Sequence, residues 1–137
     1  MKKILTTLSL ALAMSLPLSA QLLRTTVEGF ALYRAIPYAE APVGELRWKA
    51  PVPKAPWQGV YKAERWGDRP YQKTDPNQNG NDIPMSEDCL YLSVETPAMS
   101  KDEKLPVFVN IHGGAFATGS YSGTLDSFVR EGIIYVS

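Results

Sequence analysis

Cysteine and net charge are almost absent from this chain of 137 residues. A lone cysteine, Cys89, cannot close an intrachain disulfide, so we expect it to be buried as a small apolar side chain or free for an intermolecular bond, with burial favoured. Fourteen lysines and arginines balance fourteen aspartates and glutamates, so no field of one sign attracts nucleic acid or an anionic membrane. Eleven prolines and ten glycines predict a turn-rich first half in one modest domain, not a helical bundle.

The longest apolar run covers residues 4–16 and is too short for a membrane span. Two lysines precede it and Pro-Leu-Ser-Ala follows it, an order typical of a secretory signal peptide cleaved after Ala20. We therefore expect residues 1–20 to be a signal peptide and residues 21–137 to be secreted or periplasmic. The residue directly after the cleavage site is Gln21 and not a cysteine, which argues against a stable lipid anchor in the membrane.

The stretch 105–120, LPVFVNIHGGAFATGS, organises the second half of the chain. Residues 107–111 are apolar and mostly β-branched, which predicts a buried strand in a parallel sheet. The glycine turn that follows has small residues, which let backbone amides approach a ligand as an oxyanion hole requires. Two adjacent glycines alone are more typical of an ordinary turn that ends a strand, so both interpretations stand at this point.

Other patterns predict strands around that stretch. Residues 25–38 predict a hairpin or two small strands, residues 36–57 an extended proline-rich segment, and residues 75–82 a polar loop. Leu90, Leu92 and Val94 alternate with more polar residues, which predicts a strand that could pair antiparallel with 107–111.

A short helix is predicted over residues 124–131, ended by Gly132, with a buried strand over residues 133–136. Strand, glycine turn, helix and strand together make one crossover unit of an α/β sheet. Because a bare apolar strand at the end of a sheet is an aggregation hazard, we expect these 137 residues to be a fragment.

Three stretches occur in order: IPYAEAPVGELRWKAP (36–51), EDCLYLSVETP (87–97) and VNIHGGAF (109–116). Together they resemble the N-terminal part of the type-B carboxylesterases, the α/β-hydrolase family that includes cholinesterases and lipases. The resemblance implies an incomplete α/β-hydrolase fold with a mixed, mostly parallel sheet. It also implies hydrolysis of a small-molecule carboxylic ester by a serine acyl-enzyme route, without cofactor or metal. The alternative is a non-catalytic binding or adhesion protein on the same scaffold.

The resemblance gives individual roles to the glycine turn. Gly114 and Ala115 would supply two backbone amides of the oxyanion hole, and Gly113 would enable the turn. His112 is the only histidine, but the base of these enzymes comes last in the chain, so we expect His112 to hold the loop by hydrogen bonds. The nucleophile, acid and base are then all missing from these residues, and the chain alone is predicted to be inactive.

A near match to Gly-x-Ser-x-Gly occurs at residues 119–123. Tyr121 stands at its middle position and no strand precedes it, so it is not a nucleophile elbow. Ser120 and Ser122 are interpreted as loop hydroxyls.

The chain departs from the family pattern at two positions. Glu95 stands where an apolar residue is usual, so we expect that strand end to be exposed. Pro70 stands where the disulfide partner of Cys89 would be, so the family's loop-closing disulfide is missing. Arg47 and Glu87, in contrast, match positions that form a buried ion pair in the family. Removing one partner of such a pair would cost about 3–5 kcal/mol of stability.

Overall fold

A computed structural model of the protein describes residues 21–27, 29–73, 83–121 and 126–137. The predicted signal peptide and the predicted polar loop over residues 75–82 lie outside the described residues. Within these ranges the strands and one short α-helix follow in this order: β1 Gln21–Leu23, β2 Thr25–Val27, β3 Phe30–Pro37, β4 Val60–Lys62, β5 Tyr91–Thr96, β6 Val107–Val109, α1 Asp126–Arg130 and β7 Ile134–Val136. A single-turn 3-10 helix, Gly44–Leu46, lies between β3 and β4.

A mixed five-stranded sheet, in the order β2-β3-β5-β7-β6, carries the fold. The strands β2 and β3 form the predicted hairpin, and β3 pairs antiparallel with β5. The strand β7 then pairs antiparallel with β5 and parallel with β6. The mixed sheet is confirmed, but among the described residues the predicted dominance of parallel pairing is limited to β6–β7, since the other three ladders of this sheet are antiparallel. A separate parallel pair joins β1 and β4.

The strand β6 differs from its prediction in length, exposure and neighbour. It covers only Val107–Val109, all three residues are exposed, and Ile111 beyond it is 89% exposed. Its neighbour is β7, which lies between β5 and β6, so the predicted antiparallel pairing of β5 with β6 is wrong. The physical reason is the edge position, because an edge strand has a neighbour on one side only.

The burial of β5 also corrects the sequence prediction. Glu95 is 1% exposed and Ser93 is 2% exposed, so the strand end expected at the surface is buried. Glu95 stands opposite Leu32 of β3 and Tyr135 of β7, which are themselves buried. In a strand with a neighbour on each side, polar residues become buried even where the alternation of apolar and polar residues would place them in solvent.

The crossover from β6 to β7 follows the prediction. The helix α1 occupies residues 126–130 of the predicted 124–131, and Val129 is fully buried. Gly132, at φ +80°, donates to the Val129 carbonyl, and the Ile133 amide donates to the Phe128 carbonyl. These two bonds form a Schellman motif, which ends the helix at the predicted glycine and directs the chain into β7.

Candidate functional site: the loop after β6

The glycine loop begins where β6 ends. The Asn110 amide donates to the Val136 carbonyl at 2.7 Å, which extends the β6–β7 pairing by one residue. The chain then turns at Gly114, whose carbonyl accepts hydrogen bonds from the amides of Ala117 (2.9 Å) and Thr118 (3.1 Å). The carboxyl ends of two parallel strands therefore meet beside this loop, the usual place for ligand sites in α/β sheets.

The turn at Gly114 requires glycine for two reasons. Its φ is +123°, a left-handed conformation that residues with a Cβ rarely adopt. A Cβ at this position would overlap the Thr118 carbonyl oxygen and lie 2.6 Å from the carbonyl carbon. At Gly113, in contrast, a Cβ would meet no atom within 4 Å. The turn itself thus depends on the second glycine of the pair.

Two non-glycine residues continue the left-handed backbone. Ala115 has φ +51° and Phe116 has φ +58°, and both are exposed. Such backbone costs roughly 1–2 kcal/mol per residue with a Cβ, a strain that recurs at functional sites.

The amides of residues 111–116 donate no hydrogen bond to any residue in the described part of the chain, and four of them, at residues 113–116, belong to the turn. Gly114 and Ala115, the predicted oxyanion donors, lie within this run. Consecutive unpaired amides in a turn with positive φ values favour binding of an anionic atom. The geometry thus leaves these groups available to an external acceptor.

His112 closes the base of the loop. Its Nδ1 lies 2.8 Å from the Gly113 carbonyl oxygen, which can only accept, so Nδ1 carries the hydrogen of this bond. Gly119 packs against the same nitrogen, since a Cβ on Gly119 would overlap Nδ1 and lie 2.6 Å from the Gly113 oxygen. The imidazole is thus held against the loop's own backbone, the arrangement that a bracing role requires.

A cavity of about 430 Å³ lies beside the loop. It extends between the ends of β5, β6 and β7 and is lined on the loop side by His112 and Ser120. Tyr121 forms part of its wall and is 8% exposed. The cavity gives a small molecule access to the surroundings of the glycine loop.

Tyr121 is an internal anchor and not part of a nucleophile elbow. Its hydroxyl accepts a hydrogen bond from the Gly67 amide, and its carbonyl accepts one from the Ser137 hydroxyl at 2.7 Å. Burial, the largest cause, raises the pKa of Tyr121 to about 12. Ser120 lies in the loop before it, as predicted, whereas Ser122 falls outside the described residues.

The predicted ion pair forms, but it is not buried. Arg47 Nε lies 2.6 Å from Glu87 Oε1, and the two side chains are 54% and 35% exposed. The guanidinium also lies 5.3 Å from the centre of the Trp48 ring, which is itself 89% exposed. The prediction of a buried pair is therefore wrong in its environment, because the segment that carries Arg47 runs over the surface.

Cys89 is half-buried and forms no disulfide. Burial, followed by the nearby charges of Asp88 and Glu87, raises the pKa of its thiol above the ordinary value. The expected burial is thus confirmed in part.

Contacts between Gln72 and Gly119, which were not predicted from sequence, join the loop to the segment before β5. The Gly119 amide donates to Gln72 Oε1 at 2.7 Å, and Gln72 Nε2 donates to the Gly119 carbonyl at 2.8 Å. The two residues are 47 positions apart, so no local pattern announces the contact.

The described ranges contain no group of three or more histidine, cysteine, aspartate or glutamate side chains that could hold a metal ion. Within the same ranges, no helix is long and apolar enough to cross a membrane.

Known proteins share both the sequence and the fold. The profile of the carboxylesterase family matches residues 20–137. The chain is 41% identical over 115 residues to the phenmedipham hydrolase of Pseudarthrobacter oxydans, covering 77% of this chain and 23% of that protein. It is 42% identical over 98 residues to the acetylcholinesterase of Electrophorus electricus, covering 66% of this chain and 16% of that protein. A solved thermophilic PNB esterase matches with a TM-score of 0.75 and 34% identity, over 88% of this chain and 26% of its own.

The chain thus spans about a quarter or less of the length of these relatives. The structural match confirms part of an α/β-hydrolase fold. The three resembling stretches, at residues 36–51, 87–97 and 109–116, all lie inside the matched range. From motif order, fold and sequence identity together it follows that this chain belongs to the carboxylesterase family.

Proposed function

We propose that the whole protein hydrolyses carboxylic esters by the acyl-enzyme route of serine esterases. The whole protein here means the complete product of the gene that encodes this chain. The observation that supports this best is the loop at residues 113–116, whose four amides have no partner in the described part of the chain. The chain on either side of that loop lines a cavity of about 430 Å³ through His112 and Ser120. Relatives named as esterases, such as para-nitrobenzyl esterase of Bacillus subtilis at 42% identity, support the same reaction class.

In this proposal the loop binds the negative oxygen of the tetrahedral intermediate. The amides of Gly114 and Ala115 donate to that oxygen, and Gly113 lets the chain approach it. A donor of this kind contributes roughly 3–4 kcal/mol of transition-state stabilisation, because it is oriented before charge develops. Four amides are available geometrically, and the family resemblance selects these two.

The remaining catalytic groups come from outside these 137 residues. His112, the only histidine, already bonds to the Gly113 carbonyl through Nδ1 and serves as a brace. A serine nucleophile, an acid and a second histidine would complete the triad, with the proton passing between serine and histidine. Residues 21–137 expressed alone therefore have no turnover.

Hydrolysis of p-nitrophenyl acetate tests both parts of this proposal. We expect the whole protein to release p-nitrophenolate and to lose activity on treatment with a serine-directed phosphonate. Residues 21–137 expressed alone should release none above the rate in buffer. Absence of turnover by the whole protein on a series of acyl chain lengths would contradict the proposal and favour a binding protein on this scaffold.

Export is a separate part of the proposal. Residues 1–20 act as a signal peptide cleaved after Ala20, and the protein is secreted or periplasmic. Mass spectrometry of the N-terminal peptide from the exported fraction should find Gln21 first. A retained Met1 in that fraction would contradict cleavage.

A further inference from the structure

The side-chain amide of Gln72 makes paired hydrogen bonds with the backbone just after the glycine loop, as a peptide group of a neighbouring strand would. Its Oε1 accepts from the Gly119 amide at 2.7 Å, and its Nε2 donates to the Gly119 carbonyl at 2.8 Å. Nε2 also donates to the Pro70 carbonyl at 3.1 Å. The orientation of the amide is fixed, because Gly119 N–H can only donate and its carbonyl can only accept.

Gly119, which Gln72 holds by these two hydrogen bonds, packs against the start of the loop. Its φ of +117° and its close approach to His112 leave no room for a Cβ, which would overlap Nδ1. The same Cβ would lie 2.6 Å from the Gly113 carbonyl oxygen, the acceptor of the His112 bond. The backbone at residue 119 therefore forms a wall against which His112 and the first loop peptide pack.

Gln72 is itself held by the segment before β5. Its backbone amide lies 3.4 Å from the sulfur of Met85. The neighbouring Arg69 amide donates to the Pro84 carbonyl at 2.9 Å, and the Ser86 amide donates to the Arg69 carbonyl at 2.9 Å. Backbone pairing thus holds the segment that carries Gln72.

We propose that Gln72 is a positioning residue for the oxyanion loop, holding Gly119 against His112 and thereby fixing where the amides of Gly114 and Ala115 point. The catalytic half of this inference rests on the proposed esterase function. A neutral carboxamide suits the task, because it offers a donor and an acceptor side by side, as Gly119 requires. Glutamate and methionine keep the length of the side chain and lose one or both of these groups.

Two variants of the whole protein separate hydrogen bonding from packing. Gln72→Met removes the two bonds to Gly119 and the bond to the Pro70 carbonyl, and it retains the volume. We expect kcat for p-nitrophenyl acetate to fall about 10- to 100-fold with KM within about twofold, since misplaced donors act on the transition state. Gln72→Glu places a carboxylate oxygen against the Gly119 carbonyl. Protonation of that carboxylate restores the donor, so its kcat relative to wild type should rise as pH falls from 8 to 5, whereas the ratio for Gln72→Met stays flat.

Amide hydrogen exchange measures positioning independently of turnover. In wild type the Gly119 amide is protected by Gln72 Oε1, and in Gln72→Met we expect this amide, followed within the peptide covering residues 113–120, to exchange at least tenfold faster. Unchanged exchange, or kcat within twofold of wild type in both variants, would overturn the inference. Should the wild type lack esterase activity altogether, the proposed function fails, while the exchange measurement still decides whether Gln72 holds the loop.

Discussion

Replacing Gly114 by alanine perturbs the steric centre of the glycine loop. The added Cβ would overlap the Thr118 carbonyl oxygen, which is backbone and cannot rotate away, so the turn must open. Opening breaks the two bonds that the Gly114 carbonyl accepts from Ala117 and Thr118. These bonds contribute about 1–3 kcal/mol together, and the left-handed φ adds about 1–2 kcal/mol for a residue with a Cβ. Because an exposed loop relaxes, we expect the free energy of unfolding to fall by about 2–4 kcal/mol.

Gly113→Ala is the matched control, since it adds the same methyl group one residue earlier. No atom lies within 4 Å of a Cβ at Gly113, and its φ lies outside the left-handed range. Alanine there restricts the unfolded chain without a steric cost, so we expect stability to rise by about 0.4–1 kcal/mol. Urea titration of the whole protein, followed by tryptophan fluorescence, measures both variants.

Equal stability of the two variants would refute the reasoning, since it would mean that the Thr118 contact does not constrain Gly114. Loss of stability in Gly113→Ala alone would place the turn one residue earlier than the structure does. Under the proposed esterase function, kcat of Gly114→Ala in the whole protein should also fall by about 10²–10³, the value typical of a lost oxyanion donor.

Three further predictions concern the surroundings of the loop. Glu87→Gln should cost no more than about 1 kcal/mol in a urea titration, because the bond to Arg47 is solvent-exposed; a loss of 3–5 kcal/mol would indicate a buried pair. Cys89 should react with iodoacetamide at pH 8 more slowly than glutathione does, because burial raises its pKa, and denaturation should abolish the difference; an equal rate in the folded protein would contradict this. Tyr121 binds its proton more tightly in the folded than in the unfolded protein, so the free energy of unfolding should fall by up to about 2.7 kcal/mol as pH rises from 10 to 12. In urea titrations across this range, Tyr121→Phe should reduce this dependence of stability on pH, and an unchanged dependence would contradict the prediction.

The local elements of the fold were predictable from sequence because short-range rules govern them. The alternation around Leu92 predicts β5, and Gly132 predicts the end of α1. Both signals are local, since they depend on side-chain period and on the φ that a single residue adopts.

Strand order and burial were not predictable in the same way. The position of β7 between β5 and β6 depends on pairing between residues more than 20 positions apart in sequence. That order makes β5 an internal strand and encloses Glu95, while it leaves Val107 at the sheet edge, 57% exposed. Hydrophobicity alone assigns these two residues the opposite environments, because it contains no information on which strand lies beside which.

Within the glycine loop, too, some features were predictable from sequence and others depend on the fold. The sequence presents Gly113 and Gly114 as equivalent neighbours, yet only Gly114 lies against the Thr118 carbonyl and has a φ that demands glycine. The chain after the loop also contacts Gln72, whose side-chain amide bonds to Gly119 across 47 residues. A motif can therefore suggest which backbone groups to consider for an oxyanion hole, but it does not contain the contacts that surround them. Under the proposed esterase function, selection should act on Gln72 as strongly as on the neighbours of Gly114, although the two lie in different stretches of the chain.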